Sequence, residues 1–393
     1  MPNSNPDQII PAGPAGGGRP GPRTRRRARR VAVAMAAFVA LTGATSYSAA
    51  IAAPGQGPAR TAQPMRPAWN IVKQVRNGPF GGFTAIVAVG RTGGWAFNQG
   101  SVPTAWRRSG STWTQVPFPG RANEVVVAAG ASSSTNVWAF TAGGAQSRAL
   151  RWNGRSWTVQ RSFAQQIGGA VVLSPSDVWV FGQPYFPGPG LGAWHYNGHT
   201  WSRVASGHGL QGGSALSAGN IWAFDGSDIA RWNGSTWSRT SVAYALPPRQ
   251  QLNDPMLTGI YAQSKDSVYA IANGGRQDEG GPTVILHWDG YQWYKVAEGN
   301  FGFGTQPLQQ VSSDGHGGLW IPQPGADGQR SYLVHYTPGH PLTEASLPDG
   351  PNTISIEAVA AIPGTAGLLA GGDTHANGNP GRNVVAVLLQ YGI

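Results

Sequence analysis

Short apolar runs broken by Gly, Asn, Asp and Ser recur along most of this chain; "TAIVAVG", "VVVAAGAS", "GGAVVLS" and "IYAQS" are four of them. Runs of this length, bounded by turn residues, predict β-strands. Each is followed by a second run built around a large side chain: "TNVWAF", "SDVWVF", "GNIWAF", "DSVYAI", "GGLWIP". That side chain falls at Trp95, Trp138, Trp179, Trp222, Tyr269, Trp320 and then Leu369, at intervals of 41 to 51 residues. A second aromatic column follows: Trp106 and Trp113, Trp152 and Trp157, Tyr196 and Trp201, Trp232 and Trp237, Trp288 and Trp293.

Each unit therefore reads as four short strands. Strand A is the small-apolar run and strand B carries the aromatic phrase. Strand C ends at the first aromatic of the pair, and strand D begins at the second. Four-stranded units of about 40–50 residues are the signature of β-propeller blades. A sandwich or closed barrel also uses many short strands, but does not predict one aromatic returning at one point of a fixed period. Six units are complete. The seventh has strands at "SIEAVAAI", "GLLAGG" and "NVVAVLLQYGI" and lacks its strand D. An unassigned strand, "PAWNIVKQV" from Pro67, stands ahead of the first unit, with Trp69 in the place of Trp157. The expected fold is all-β, a seven-bladed propeller closed by that N-terminal strand. Closure removes a free sheet edge.

The aromatic pair flanks "NG" or "DG", a step that favours a tight hairpin because both residues tolerate positive φ. Whether the loop has two or four residues, Trp152 and Trp157 share one sheet face. Blades pack face to face, so Trp69, Trp95, Trp113, Trp138, Trp152, Trp157, Trp179, Trp201, Trp222, Trp232, Trp237, Trp288, Trp293 and Trp320 are read as blade aromatics of the interblade core, not as ligand hooks. Asn233-Gly234-Ser235 matches a glycosylation sequon, but the turn accounts for it.

The first residues change how charge is read. Residues 1–30 end in "RTRRRARR", and "VAVAMAAFVALTGA" and an A-x-A site at Ala50 and Ala52 follow. This is a signal peptide over 1–52, then a Pro/Gly-rich spacer over 53–66 and the propeller over 67–393. Paired arginines allow twin-Arg export without a full consensus. An uncleaved anchor is the alternative, since Val31–Ala53 is long enough to span a bilayer; Thr, Ser and Gly in its second half argue against it. Either route places the domain outside, secreted or at the cell surface. The formal net charge is +11, but seven of 28 Lys/Arg and one of 17 Asp/Glu fall in 1–52, leaving +5. The basic character therefore does not point to nucleic acid. With no cysteine, disulfides, thiolate metal sites and a Cys nucleophile are excluded.

The phrase "SPSDVWVFG … AWHYNGHTWSRV" resembles the blade repeat of exported actinobacterial β-propeller proteins, which reads like "SASDVWAVG … HWNGTSWSVV". The likeness covers residues 67–393, with the last two blades degenerate. The C–D turn is similar to a relaxed Asp-box, with Asn153, Asn197, Asn233 and Asp289 at the polar step, and the strand layout resembles kelch blades. The resemblance implies a propeller and no particular activity.

Catalytic signatures are absent: no G-x-S-x-G elbow, no P-loop, no sialidase-like "FRIP". Asp177, Asp266 and Asp314 sit at A–B turns, where carboxylates bond nearby backbone. His195, His287 and His335 precede the strand C aromatic. His195 and His199 bracket a hairpin but have no third ligand in register, so no metal and no cofactor are expected. Function is sought where the repeat breaks, in the long D–A and B–C loops at 182–192, 241–255, 273–283, 297–307 and 371–383. Their candidate ligand-binding residues are Tyr185, Phe186, Tyr244, Arg249, Asn253, Asp254, Arg276, Asp278, Glu279, Phe301, Phe303, Asp373, His375 and Arg382. The expectation is a monomeric, non-enzymatic binding module for an extracellular glycan, peptide or protein, touching membrane only through an uncleaved N-terminus. The alternatives are a polysaccharide hydrolase or lyase using Asp254, Asp278, Glu279 and Asp373, and a structural surface protein.

Overall fold

The computed structural model describes residues 68–76, 81–144, 146–182, 190–206, 209–247, 255–274, 281–302, 310–324, 331–348, 352–376 and 384–392. The signal peptide and spacer expected over 1–66 lie outside them. Pro64–Ile393 forms one compact unit. It contains seven antiparallel sheets of four strands each. Six are consecutive, spanning 83–116, 125–163, 169–204, 212–241, 256–302 and 312–344. The seventh takes Asn352–Ala361, Leu368–Ala376 and Val385–Tyr391 and adds Trp69–Arg76 at its outer edge. This is the seven-bladed, N-terminally closed propeller.

The B strands explain the ring. In "NVWAFTA", Asn136–Ala142, every residue is buried. Side chains alternate across a strand, so Val137 and Ala139 pack with blade 1, while Trp138 and Phe140 pack with blade 3. Val178 and Val180 against Trp179 and Phe181 repeat this in blade 3. The buried apolar residues accordingly divide into seven clusters, each straddling one seam between neighbouring blades. A strand covered on both faces reads as a continuous apolar run, which is why "VWAF" lacks polar alternation.

At the four seams from blade 1 to blade 5 the B-strand aromatic meets the C–D pair of the next blade. Trp95 lies 4.9 Å from Trp152 and 5.1 Å from Trp157. Trp138 meets Tyr196 and Trp201, Trp179 meets Trp232 and Trp237, and Trp222 meets Trp288 and Trp293, all within 6.0 Å. The pair members stand directly opposite each other across a four-residue loop. Asn is not the residue at positive φ. Gly154, Gly198, Gly234 and Gly290 take it, at 95–101°. The Asn153 side-chain oxygen instead accepts the amides of Arg155 (2.9 Å) and Ser156 (3.0 Å), which capture by an Asx turn makes cheap.

Blade 1 departs from the expected pairing. Its C–D loop has only Gly110 and Ser111 between Ser109 and Thr112, so Trp113 faces Arg108, and Trp106 faces Gln115. The seam it closes departs with it: Leu369 replaces the aromatic and packs with Trp106 and Trp113. Arg108, 5% exposed, bonds the Arg91 carbonyl (3.2 Å) and Gln390 (3.1 Å) there.

Candidate functional site

A and B strands are joined on one side of the disc, as are C and D. We call this the turn face. B–C and D–A connections share the opposite side, the loop face. The A strands enclose a central channel of about 360 Å³. Its described lining is Gly, Ala, Val and Ile with Phe224, Tyr261, Gln310 and two serines, and contains no charged side chain and no His. Its polar groups serve the inner strand edges. Gln310, in the wall of blade 6, reaches blade 1, where it accepts the Ile86 amide (2.9 Å) and donates to the Ile86 carbonyl (2.7 Å). Ser214 accepts the Ala262 amide and Ser312 the Ala361 amide, each bridging to the next blade. Burial pushes the Tyr261 phenol up, against hydrogen bonds from Ser313. Among the described residues its lining offers no pair of carboxylates for acid–base work.

The loop face is braced by two arginines. Arg148 and Glu124 form a buried pair, with Arg148 Nε 2.6 Å from one carboxylate oxygen and Nη2 bonded to the other. Nη2 also donates to the Pro119 carbonyl, and Glu124 accepts the Arg121 amide. Arg239 lies 3.9 Å from Asp225 and 3.7 Å from Asp228 and donates to the Ser206 and Gly209 carbonyls. Both arginines pin a D–A connection, and both are consumed in doing so.

Of the fourteen candidate ligand residues, Tyr185, Phe186, Arg249, Asn253, Asp254, Arg276, Asp278, Glu279, Phe303 and Arg382 lie outside the described residues, as does the side chain of His375. Asp373 is buried in blade 7. Phe301 is half-buried and packs on the blade 5–blade 6 cluster. Tyr244 is 69% exposed and does not point along the loop face: its hydroxyl donates to the Trp293 carbonyl (3.0 Å), at the start of the outer strand of blade 5. Two further exposed tyrosines flank that carbonyl in the same hairpin. Tyr291, in the C–D turn, is 93% exposed, and Tyr294 is 39% exposed with its hydroxyl 3.0 Å from His287 Nδ1. Neither was singled out from the sequence. Both sit inside the repeat, where the aromatic column masks them.

The turn face carries a second recurring arrangement. Opposite each B-strand aromatic the C strand places a flat or cationic group: Arg107, Arg151, His195, Arg231, His287, His335. His335 stacks on Trp320 at 4.0 Å and bonds Asp314; His195 stacks on Trp179 and bonds Asp177. His287 bonds Ser267 (3.0 Å) and stacks on Tyr269, and burial lowers its pKa against the pull of Asp289. This Ser–His contact occupies the place of the Asp–His contacts in blades 3 and 6. It is a scaffold feature, not a nucleophile and base. Among the described residues no group of His, Asp and Glu could hold a metal ion.

Asp289 does the work of Asn153 with a charge. Amides of Gln292 and Tyr291 at 2.9 and 2.8 Å hold its carboxyl below the usual range. Burial opposes the same effect in Asp314, where the His316 and Gly318 amides and His335 prevail. A depressed carboxylate stabilises above its unfolded pKa, and that contribution is lost as pH falls through the folded one. Asp289→Asn should therefore flatten the acid limb of melting temperature against pH, below about pH 4. Superimposable curves would show that the turn is not sensitive to this charge.

No family model matches the chain, and no curated protein matches its sequence at a significant level. Solved structures do. YCF48 bound to D1 peptide superposes with a TM-score of 0.51 at 13% identity, over 83% of this chain and 97% of that one. YCF48 from Cyanidioschyzon merolae gives 0.53 at 12%, over 82% and 98%. The WD40 β-propeller domain of Doa1 gives 0.53 at 9%, over 82% and 96%. At such identities the likeness establishes the propeller and nothing finer.

Proposed function

We propose that this chain is an exported, non-enzymatic propeller that binds a protein or peptide segment, and that the outer corner of blade 5 anchors the partner. The observation that carries this reading is that Tyr291 and Tyr294, both exposed, lie on the C–D hairpin of blade 5, and that exposed Tyr244 bonds the backbone of that hairpin. Two of the rings are tethered through their hydroxyls, so little side-chain freedom is lost on contact. Tyrosine supplies apolar area with a polar tip, which suits protein interfaces. The rings are exposed on a hairpin, whereas small sugars and hydrolytic chemistry favour concave sites lined by convergent polar groups. Among the propellers of similar fold, one is described as bound to a peptide.

Panning a displayed peptide library on the full chain should return binders. Tyr244→Ser/Tyr291→Ser should weaken them by tenfold or more, as loss of about 2 kcal/mol at an anchor would, with an unchanged melting temperature. Binders indifferent to both substitutions, or none at all, would remove the reading.

A further inference from the structure

Charge is divided unevenly around the ring. Between Trp69 and Ser176 lie ten Lys/Arg and one carboxylate, Glu124; residues 177–393 hold nine Lys/Arg and fifteen Asp/Glu. Glu124 is itself buried against Arg148. The surface of blades 1 and 2 is therefore cationic with no exposed carboxylate of its own.

On the turn face this excess becomes an arc. Arg91 is exposed in the A–B turn of blade 1, and Arg155 is exposed in the C–D turn of blade 2. Between them stand Arg107, over both Trp95 (6.0 Å) and Trp152 (5.8 Å), and Arg151, over Trp138 (5.6 Å). A ring beneath a guanidinium holds its plane and leaves its N–H edge outward, the edge that grips a carboxylate in two bonds. The rest of the same face has the opposite bias. Asp177, Asp266, Asp289 and Asp314 lie in its turns, against Lys265, which pairs with Asp266, and Arg231, which is half-buried over Trp222.

We infer that the turn face of blades 1 and 2 is a docking surface for a short acidic polypeptide segment. It lies on blades 1 and 2, apart from the blade 5 corner, and does not depend on that corner binding anything. The charge pattern selects the partner. A bilayer or a long polyanion laid across the disc would meet the carboxylates of blades 3, 5 and 6. A segment confined to two blades gains the arginines and avoids those acids. The tight turns are short and offer no cavity, which suits an extended strand of carboxylates more than a compact ligand.

The test titrates a fluorescein-labelled decapeptide of alternating Glu and Gly with the full chain, followed by anisotropy. Binding should weaken steadily with added salt. Arg91→Glu/Arg155→Glu should weaken it by about tenfold or more, whereas Arg203→Glu/Lys295→Glu, an equal change in net charge elsewhere, should stay within about twofold. Should the first variant lose its melting transition, Arg91→Gln/Arg155→Gln carries the same expectation. Equal losses in both variants would reduce the effect to net charge. No loss in the first would move binding to the N-terminal arginines. Tighter, Arg91-dependent binding of phosphatidylserine vesicles or polyphosphate would give the surface to another partner. Each of these overturns the inference.

Discussion

A chain lacking residues 67–76 should fail to hold a stable ring. Those residues include the whole of Trp69–Arg76, which pairs with Val385–Tyr391 from Trp69↔Tyr391 to Arg76↔Val385. The deletion would expose the Val385–Tyr391 edge, a run of "VAVLLQY" with no charge to discourage pairing with another chain. It would also empty the blade 6–blade 7 seam, where Trp69 is 5% exposed and lies 5.7 Å from Trp320 and 5.1 Å from Tyr391. Loss of one buried Trp alone costs about 3–5 kcal/mol, a large share of the roughly 5–15 kcal/mol that holds a domain together. Differential scanning calorimetry with light scattering should show a transition lowered by well over 10 °C, or a soluble fraction too small to melt. Trp69→Ala should fall between truncation and parent. A truncated chain that melts with the parent would show that closure is ornamental.

That closure is legible in the sequence, and the reason is physical. Trp69 must fill the same interblade hole as Trp157, so it carries the same flanking pattern. Blade 1 was misread for the same kind of reason. The repeat pattern ends strand C at Trp106, but Trp106 and Trp113 stand seven residues apart where the other pairs stand five, and a two-residue loop places Arg108 opposite Trp113. The "NG" step disclosed a hairpin but not which residue supplied positive φ, because Asn serves equally as a left-handed residue and as a side-chain acceptor. The tyrosine corner of blade 5 was harder still. Tyr291 and Tyr294 look like members of the aromatic column until the register shows which rings face the seam and which face solvent. Charge asymmetry is present in the sequence, but it becomes a surface only when A–B and C–D turns are seen to share one face.

Glu124→Ala should be the most damaging single substitution outside the aromatic seams. It leaves Arg148, 1% exposed, with only the Pro119 carbonyl and no carboxylate. Water cannot easily compensate a guanidinium at that depth, and breaking such a pair from one side typically costs about 3–5 kcal/mol. The same carboxylate accepts the Arg121 amide, so the D–A connection from blade 1 to blade 2 should loosen as the fold weakens. Glu124→Leu/Arg148→Met removes both charges and retains bulk, so it should recover most of the loss. Urea titration of the three variants with the parent separates the possibilities. A single variant within about 1 kcal/mol of the parent would mean that the pair is solvated in solution. A double variant as weak as the single would mean that the Arg121 and Pro119 contacts, not the buried charge, hold this end of the loop face.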